Sequence, residues 1–346
     1  MFNPKYTISP KLLHNIKHIA TITEDLNNKK FPRLITVEME RNARALSAYS
    51  STSIEGNPLP LTDVKNLLKN QPSNIRDTER EVLNYNRALE YLENLVNERK
   101  AMIDEPLILN IQKMVTEGLI ENHRSGQIRT EPVFVNDPRK RQVAYLPPDA
   151  RDVERLIDEL LLFSISNEKI LDPLIIAGIF HKQFVVIHPF VDGNGRTARL
   201  LSKILLARMG LNTFNLFSFE NYYNRNVASY FNKVGLYGNY YDLSESVDFT
   251  EWLEYFTDGI IDELLRVKKE LDEEVGSTLP RIRPPYQKII DYLKEKGSIS
   301  DSEYAAITKR AKSTRSLDLK NMVVEGVLER FGKGKSTYYR LKNKDI

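Results

Sequence analysis

Apolar residues recur at three- and four-residue intervals along most of this chain, a period that predicts helices. The stretch "LITVEMERNARALSAYSSTSI" sets Leu34, Val37, Arg41 or Ala45, and Leu46 or Tyr49 at helical spacing. It ends at Gly56-Asn57-Pro58, a strong helix stop. "SNIRDTEREVLNYNRALEYLENLV" predicts a second helix, with Ser73 as its N-cap and Val82, Leu83, Leu89 and Leu92 buried. "DARDVERLIDELLLFSI" and "DPLIIAGIFHKQFVVI" predict two more, and "TEWLEYFTDGIIDELLRVKKELDEEV" a long one laced with charges at i,i+4.

Two segments break the helical period. In "GQIRTEPVFVNDPRKRQVAYLPP", Val133 and Val135 alternate with Phe134. Asn136-Asp137-Pro138 then turns the chain toward Val143 and Tyr145, which predicts a β-hairpin. The last 60 or so residues read as helix, helix, helix, hairpin. "YQKIIDYLKEKGSIS", "SDSEYAAIT" and "STRSLDLKNMVVEGVLERFG" give the helices, and "LERFGKGKSTYYRL" gives the hairpin, with a wing at Gly332–Ser336. Gly334-Lys335-Ser336 imitates the end of a phosphate loop, but that motif needs Gly five residues earlier and position 329 is Glu.

Composition narrows the picture. The 346 residues are 41% hydrophobic and 28% charged, which describes a globular chain with room for two or three domains. No apolar run reaches the roughly 18 residues of a membrane span, and the N-terminus has no apolar signal core. These readings place the protein in the cytoplasm, away from membranes. Without cysteine there is no disulfide, cysteine nucleophile or thiolate zinc site. His14 and His18 stand four apart, a spacing better explained by a solvated helix face than by a metal pair.

The net charge of +3 is unevenly spread. Residues 281–346 hold 16 Lys+Arg and 8 Asp+Glu, a net of +8, so the remainder carries −5. This asymmetry predicts a separate C-terminal module with an anionic partner. The expected division is a helical region at 1–105, a catalytic core at 106–275, a linker at 276–284 and a winged-helix domain at 285–346.

The densest chemistry lies in "HPFVDGNGRTAR", His188 to Arg199. Gly193-Asn194-Gly195 breaks the preceding helix and opens another, and free N–H groups at a helix start suit phosphate. Arg196 and Arg199, three apart, offer two guanidinium forks to a polyphosphate. Asp192 suits a Mg²⁺ ion shared with phosphate oxygens. His188 is the natural general base for a hydroxyl nucleophile. Together they describe phosphoryl or nucleotidyl transfer.

The run resembles the Fic family signature H-P-F-x-[D/E]-G-N-G-R-x-x-R, matching it at every defined position, and the resemblance extends from about residue 30 to about 265. It implies a mostly α fold in which a helical core carries a β-hairpin flap, here about residues 130–146, followed in this chain by the winged helix-turn-helix domain. It implies a protein adenylyltransferase that moves AMP from ATP to a Ser, Thr or Tyr hydroxyl with Mg²⁺. By that resemblance His188 is the base and Asp192 the metal ligand. Gly193, Asn194 and Gly195 bind the α- and β-phosphates, Arg196 the phosphates, and Arg199 the γ-phosphate. "FENYYNRNVASYFNKV" is similar to the helix beside the nucleotide, which makes Tyr222, Tyr223, Asn226 and Tyr230 candidate adenine or ribose contacts.

Glu55 sits in the last turn of its helix, where the dipole disfavours an anion by about 0.3–1 kcal/mol, so a cationic partner outside the helix is expected. Ser51-x-x-x-Glu55-Gly56 also resembles the family's inhibitory motif, [S/T]-x-x-x-E-[G/N]. That implies a Glu55–Arg199 pair which blocks the γ-phosphate. Two other functions stay open: a DNA-binding regulator whose core senses nucleotide, and the reverse reaction, with Glu55 positioning water to remove AMP. The protein target, which includes the chain itself, a homodimer, and a DNA or protein contact through 285–346 are open as well.

Overall fold

The computed structural model describes residues 2–28, 33–98, 102–137, 142–207, 216–278, 284–324 and 327–342. The chain folds as two compact units, one of residues 1–28 and 42–267 and one of 29–41 and 268–346.

In the first unit, α1 (Pro10–Asn28), the inner part of α2 (Arg33–Ile54), α3 (Leu61–Lys69), α4 (Asp77–Asn97), α5 (Glu105–Thr116), α6 (Ala150–Ser166), α7 (Pro173–Ile187) and α8 (Asn194–Ala207) surround a large apolar core, and a smaller cluster joins Leu12, Phe163, Ile175, Ile179, Phe249 and Leu253. At the centre is α7. Asp172 caps it by accepting from the Leu174 N–H at 2.8 Å, Pro173 preorganises its first turn, and every residue from Leu174 to Phe184 is buried. Neighbours cover every face of this helix, so its polar His181, Lys182 and Gln183 are buried along with its apolar residues. One neighbour, α12 (Thr250–Thr278), comes so close that a Cβ on Gly178 would lie 2.6 Å from Leu253 Cδ2. Trp252 Nε1 donates to the Gly178 carbonyl at 2.7 Å in the same contact.

The core also holds a buried ion pair. Lys203 of α8 and Glu220 of α9 (Phe219–Arg225) are fully buried 3.1 Å apart, and Glu220 accepts from the Tyr85 hydroxyl at 2.7 Å. Helix α4 starts at Asp77, with Arg76 rather than Ser73 at its N-cap. The Arg76 N–H and guanidinium both bond Glu79, which fixes the start there.

The hairpin forms β1 (Val135–Asp137) and β2 (Gln142–Leu146), antiparallel with Asn136 opposite Val143. The expected turn residue Pro138 lies outside the described residues. A short parallel strand, β3 (Gly238–Asn239), joins β2 at Tyr145. It follows α10 (Val227–Val234) and precedes α11 (Tyr240–Leu243).

The second unit takes in the end of α12, which runs through Thr278 into the expected linker. Residues 279–283 of that linker lie outside the described residues. Then follow α13 (Pro284–Lys296), β4 (Ile299–Ser300), α14 (Asp301–Ile307), α15 (Lys312–Val324), β5 (Leu328–Phe331) and β6 (Tyr338–Leu341), with sheet order β4-β6-β5. Strand β4 has no counterpart in the sequence reading, which ran its residues into the preceding helix. Gly297, at φ 76°, stops that helix and turns the chain. The unit has its own core of Tyr286, Ile289, Leu293, Ile299, Tyr304, Leu319, Met322 and Leu328. Between β5 and β6, Gly332 is obligatory: its φ is 74° and a Cβ would meet the Ser336 carbonyl at 2.3 Å. Gly334–Ser336 is one 3₁₀ turn in this hairpin, not a phosphate loop.

Candidate active site

The site begins where α7 stops. His188 is the C-cap in the left-handed region at φ 52°, and its N–H bonds the Phe184 carbonyl. No other described non-glycine residue has positive φ. Its Nδ1 donates to the Val185 carbonyl at 3.2 Å, so the lone pair is left on Nε2. Arg129, which the sequence reading missed, secures this conformation. It is buried, and its backbone N–H donates to the Pro189 carbonyl. Its Nε donates to the His188 carbonyl at 2.8 Å and its terminal nitrogen to Pro148 at 2.6 Å.

The glycine turn is held from below. Gln112 Nε2 donates to the Asp192 carbonyl at 3.0 Å. Gly193, at φ 82°, leaves no room for a Cβ, which would stand 2.9 Å from Thr116 Cγ2. Asn194 opens α8, and its side chain clamps Phe190, accepting from that residue's N–H at 2.9 Å and donating to its carbonyl at 2.8 Å. The Asn194 side chain therefore shapes the turn. The backbone N–H groups ahead of Thr197 lack helical partners, which is the arrangement that suits an anion.

Both motif arginines are buried beside carboxylates. Arg196 donates to both oxygens of Asp192, at 2.9 and 2.8 Å, and pairs through its other terminal nitrogen with Glu81 at 2.8 Å. Burial raises the Glu81 carboxyl, and Arg196 opposes that shift. Arg199 is fully buried. It donates to Ser51 Oγ at 2.7 Å, the Ser51 carbonyl at 2.9 Å and Glu55 Oε1 at 2.6 Å. Burial works against its charge, and the Glu55 carboxylate together with the Tyr230 and Tyr85 hydroxyls more than offsets this.

Glu55 reaches Arg199 because α2 ends on it. The Gly56 N–H bonds the Ser53 carbonyl, the Asn57 N–H bonds Thr52, and Gly56 has φ 99°, a Schellman termination. The carboxylate rests against the glycine turn itself: a Cβ on Gly195 would lie 2.3 Å from Glu55 Oε1.

A cavity of about 710 Å³ opens here. Its walls include Glu55, His188, Gly195 and Tyr230, strand residues Val135, Ala144 and Tyr145, and the apolar Val227, Ala228 and Phe231 of α10. Of the four residues expected beside the base, only Tyr230 lines it. Tyr223 is fully buried and stacked on Tyr230 with ring centroids 4.7 Å apart. Tyr222 packs against Gly259 and Tyr255, and the Asn226 side chain caps α10 by accepting from the Ser229 N–H. An aromatic helix face buried in a core has the same sequence pattern as one facing a ligand. Among the described residues no group of three His, Cys, Asp or Glu could hold a metal ion. The rings of His14 and His18 lie 5.8 Å apart on α1.

Residues 102–206 match the Fic/DOC family model. That segment, which holds His188 to Arg199, is similar to a Fic domain. The protein adenylyltransferase Fic of Nematostella vectensis is 32% identical over 166 residues, 47% of this chain and 37% of that one. The relative of the same name in Aedes aegypti is 28% identical over 227 residues, 60% and 43%. The chain thus spans less than half the length of the curated relatives it matches. A Fic family protein from Desulfovibrio desulfuricans has the same fold, with a TM-score of 0.63 and 22% identity over all of both chains. Fic-1 of Caenorhabditis elegans gives a TM-score of 0.59 at 20% identity, covering 76% of this chain and 73% of that one. No described helix of this chain is long and apolar enough to cross a membrane.

Two histidines make stability pH-dependent. Burial lowers the pKa of His188, and lowers that of His181, set between Ser202 and the Tyr230 hydroxyl, well below the ordinary value. As pH falls through about 6.5, the unfolded chain takes up protons that the folded one refuses, so stability drops. Melting temperature is expected to fall between pH 7.5 and 5.5, with a shallower fall in His181→Gln. Equal slopes in the two proteins would contradict this.

Proposed function

We propose that this chain transfers AMP from ATP to a hydroxyl of a protein, itself included, and that α2 holds it inactive. The observation that carries the proposal is the Glu55 carboxylate lodged between Arg199 and Gly195, in the cavity that His188 lines. An anion is already bound where a nucleotide phosphate would go.

In the reaction, His188 Nε2 takes the proton of the target hydroxyl. The oxygen attacks the α-phosphorus, the bond to the bridging oxygen breaks, and pyrophosphate leaves. The N–H groups of the glycine turn and the two guanidinium groups hold the phosphates as charge shifts to the leaving group. Tyr230 and the apolar wall of α10 would enclose the base, and the β1–β2 hairpin would guide the target segment by strand pairing. Asp192 is a single, half-exposed carboxylate, a donor set that fits Mg²⁺ only if phosphate oxygens complete the shell. Bound there, the ion would neutralise charge on the phosphates. The reverse reaction would need Glu55 to hold a water, and Arg199 occupies its Oε1. The proposal is tested by incubating Glu55→Gly with ATP and cell lysate and reading the mass of one AMP on Ser, Thr or Tyr. No such adduct on any protein would overturn it.

We also read residues 284–342 as a winged helix that binds duplex DNA, in an ATP-containing compartment such as the cytoplasm. The element order and the wing turn support this, and so does the charge pattern. Asp301 and Asp318 are taken by Arg315 and Arg310, while Lys309, Lys312, Lys320, Lys333 and Lys342 are exposed. If those five lysines contact phosphates, log affinity should fall with log salt at a slope of about −4 to −5. A flat salt dependence would point to a protein partner instead.

A further inference from the structure

The inhibitory segment reaches the first motif arginine, Arg196, as well, by a route absent from the sequence motif. Asn57 follows Gly56, and the Schellman turn fixes its position. Its Nδ2 donates to the Thr78 carbonyl at 2.8 Å and to Glu81 Oε2 at 2.7 Å. Glu81 Oε1 in turn meets an Arg196 terminal nitrogen at 2.8 Å. The other terminal nitrogen is shared between the two oxygens of Asp192, and the buried Nε has no partner among the described residues. Arg196 is thus bracketed by one carboxylate anchored on α4 and one exposed at the glycine turn.

The two carboxylates differ in freedom. Glu81 has a side-chain exposure of 16% and is tied at both oxygens, whereas the Asp192 carboxylate is 46% exposed and, among the described residues, bonded only to Arg196. If Glu81 were neutral, Asp192 would be the sole anion on a buried guanidinium. It would then be held harder and released less readily to a cation arriving with the nucleotide. We propose that Glu81, anchored by Asn57, is a positioning residue that keeps Arg196 from monopolising Asp192, so that the carboxylate is available to a metal-bound nucleotide. This inference rests on the reading of the cavity as a nucleotide site.

The test measures binding rather than turnover. In the Glu55→Gly protein, the affinity for a non-hydrolysable ATP analogue is measured with and without Mg²⁺, and their ratio is the gain that the metal confers. Adding Glu81→Gln is expected to shrink that ratio by about tenfold. Metal-free affinity should be unchanged or tighter, since a negative charge near the phosphates has gone. Asn57→Ala, which keeps the charge but loosens its anchor, is expected to shrink the ratio less, and to add nothing to Glu81→Gln. It also serves as the test if Glu81→Gln fails to fold. General damage to the site would weaken both affinities together and leave the ratio unchanged. An unchanged or larger ratio in folded variants overturns the proposal. A Glu55→Gly parent that binds no nucleotide overturns the nucleotide reading, and this inference with it.

Discussion

Glu55→Gly is expected to raise AMP transfer by roughly 10- to 100-fold. A hydrogen bond to a charged group contributes about 1.5–3 kcal/mol, and the one from Arg199 to Glu55 must be broken before Arg199 can meet a γ-phosphate. The same substitution clears the space beside Gly195. It should do little to α2, because Glu55 already lies beyond the last helical residue and Gly56 sets the termination. The freed guanidinium keeps Ser51 Oγ, the Ser51 carbonyl and the Tyr230 hydroxyl but loses its carboxylate. Melting temperature should therefore fall by a few degrees without nucleotide and recover with ATP. Arg199→Ala added to Glu55→Gly should cancel the gain in transfer. A catalytic glutamate would give the opposite sign, and an inert one no change.

His188→Ala, made in Glu55→Gly, is expected to cut transfer by about 10²–10⁴-fold while ATP binding stays within a few-fold. The imidazole lines the cavity with Nε2 unprotonated, and Nδ1 is fixed by Val185. The groups proposed to bind phosphate lie on the glycine turn and α8, and Asn194 and Gln112 hold that turn without help from the imidazole. Because burial lowers the His188 pKa, the acid limb of transfer should have its midpoint below the ordinary 6.5. Loss of nucleotide binding in parallel with transfer would mean that the imidazole shapes the site rather than accepting the proton.

The long helices could be read from the sequence because each has an apolar stripe or is buried on all sides, and both patterns repeat at helical intervals. The glycine turn could be read because glycines, a carboxylate, a histidine and two arginines fall within twelve residues. Glu55 could be read because a carboxylate at a helix C-terminus is locally unfavourable. What escaped depends on contacts between distant segments. Arg129, Gln112 and Glu81 lie on other elements, and nothing near them in sequence shows that they face His188, Asp192 or Arg196. Lys203 and Glu220 stand in polar positions of the pattern yet are fully buried against each other. Tyr223 was expected at the ligand and lies in the core, since packing and recognition use the same aromatic spacing. Strands β3 and β4 are two residues each, too short for any alternation to show.

The most direct measurement gives Glu55→Gly two samples of ATP, one labelled at the α-phosphate and one at the γ-phosphate, with lysate as target. Label on protein is expected from the α-phosphate only, lost in His188→Ala and much weaker with the native chain. Label from the γ-phosphate, or equal labelling by Glu55→Gly and the native chain, would contradict this.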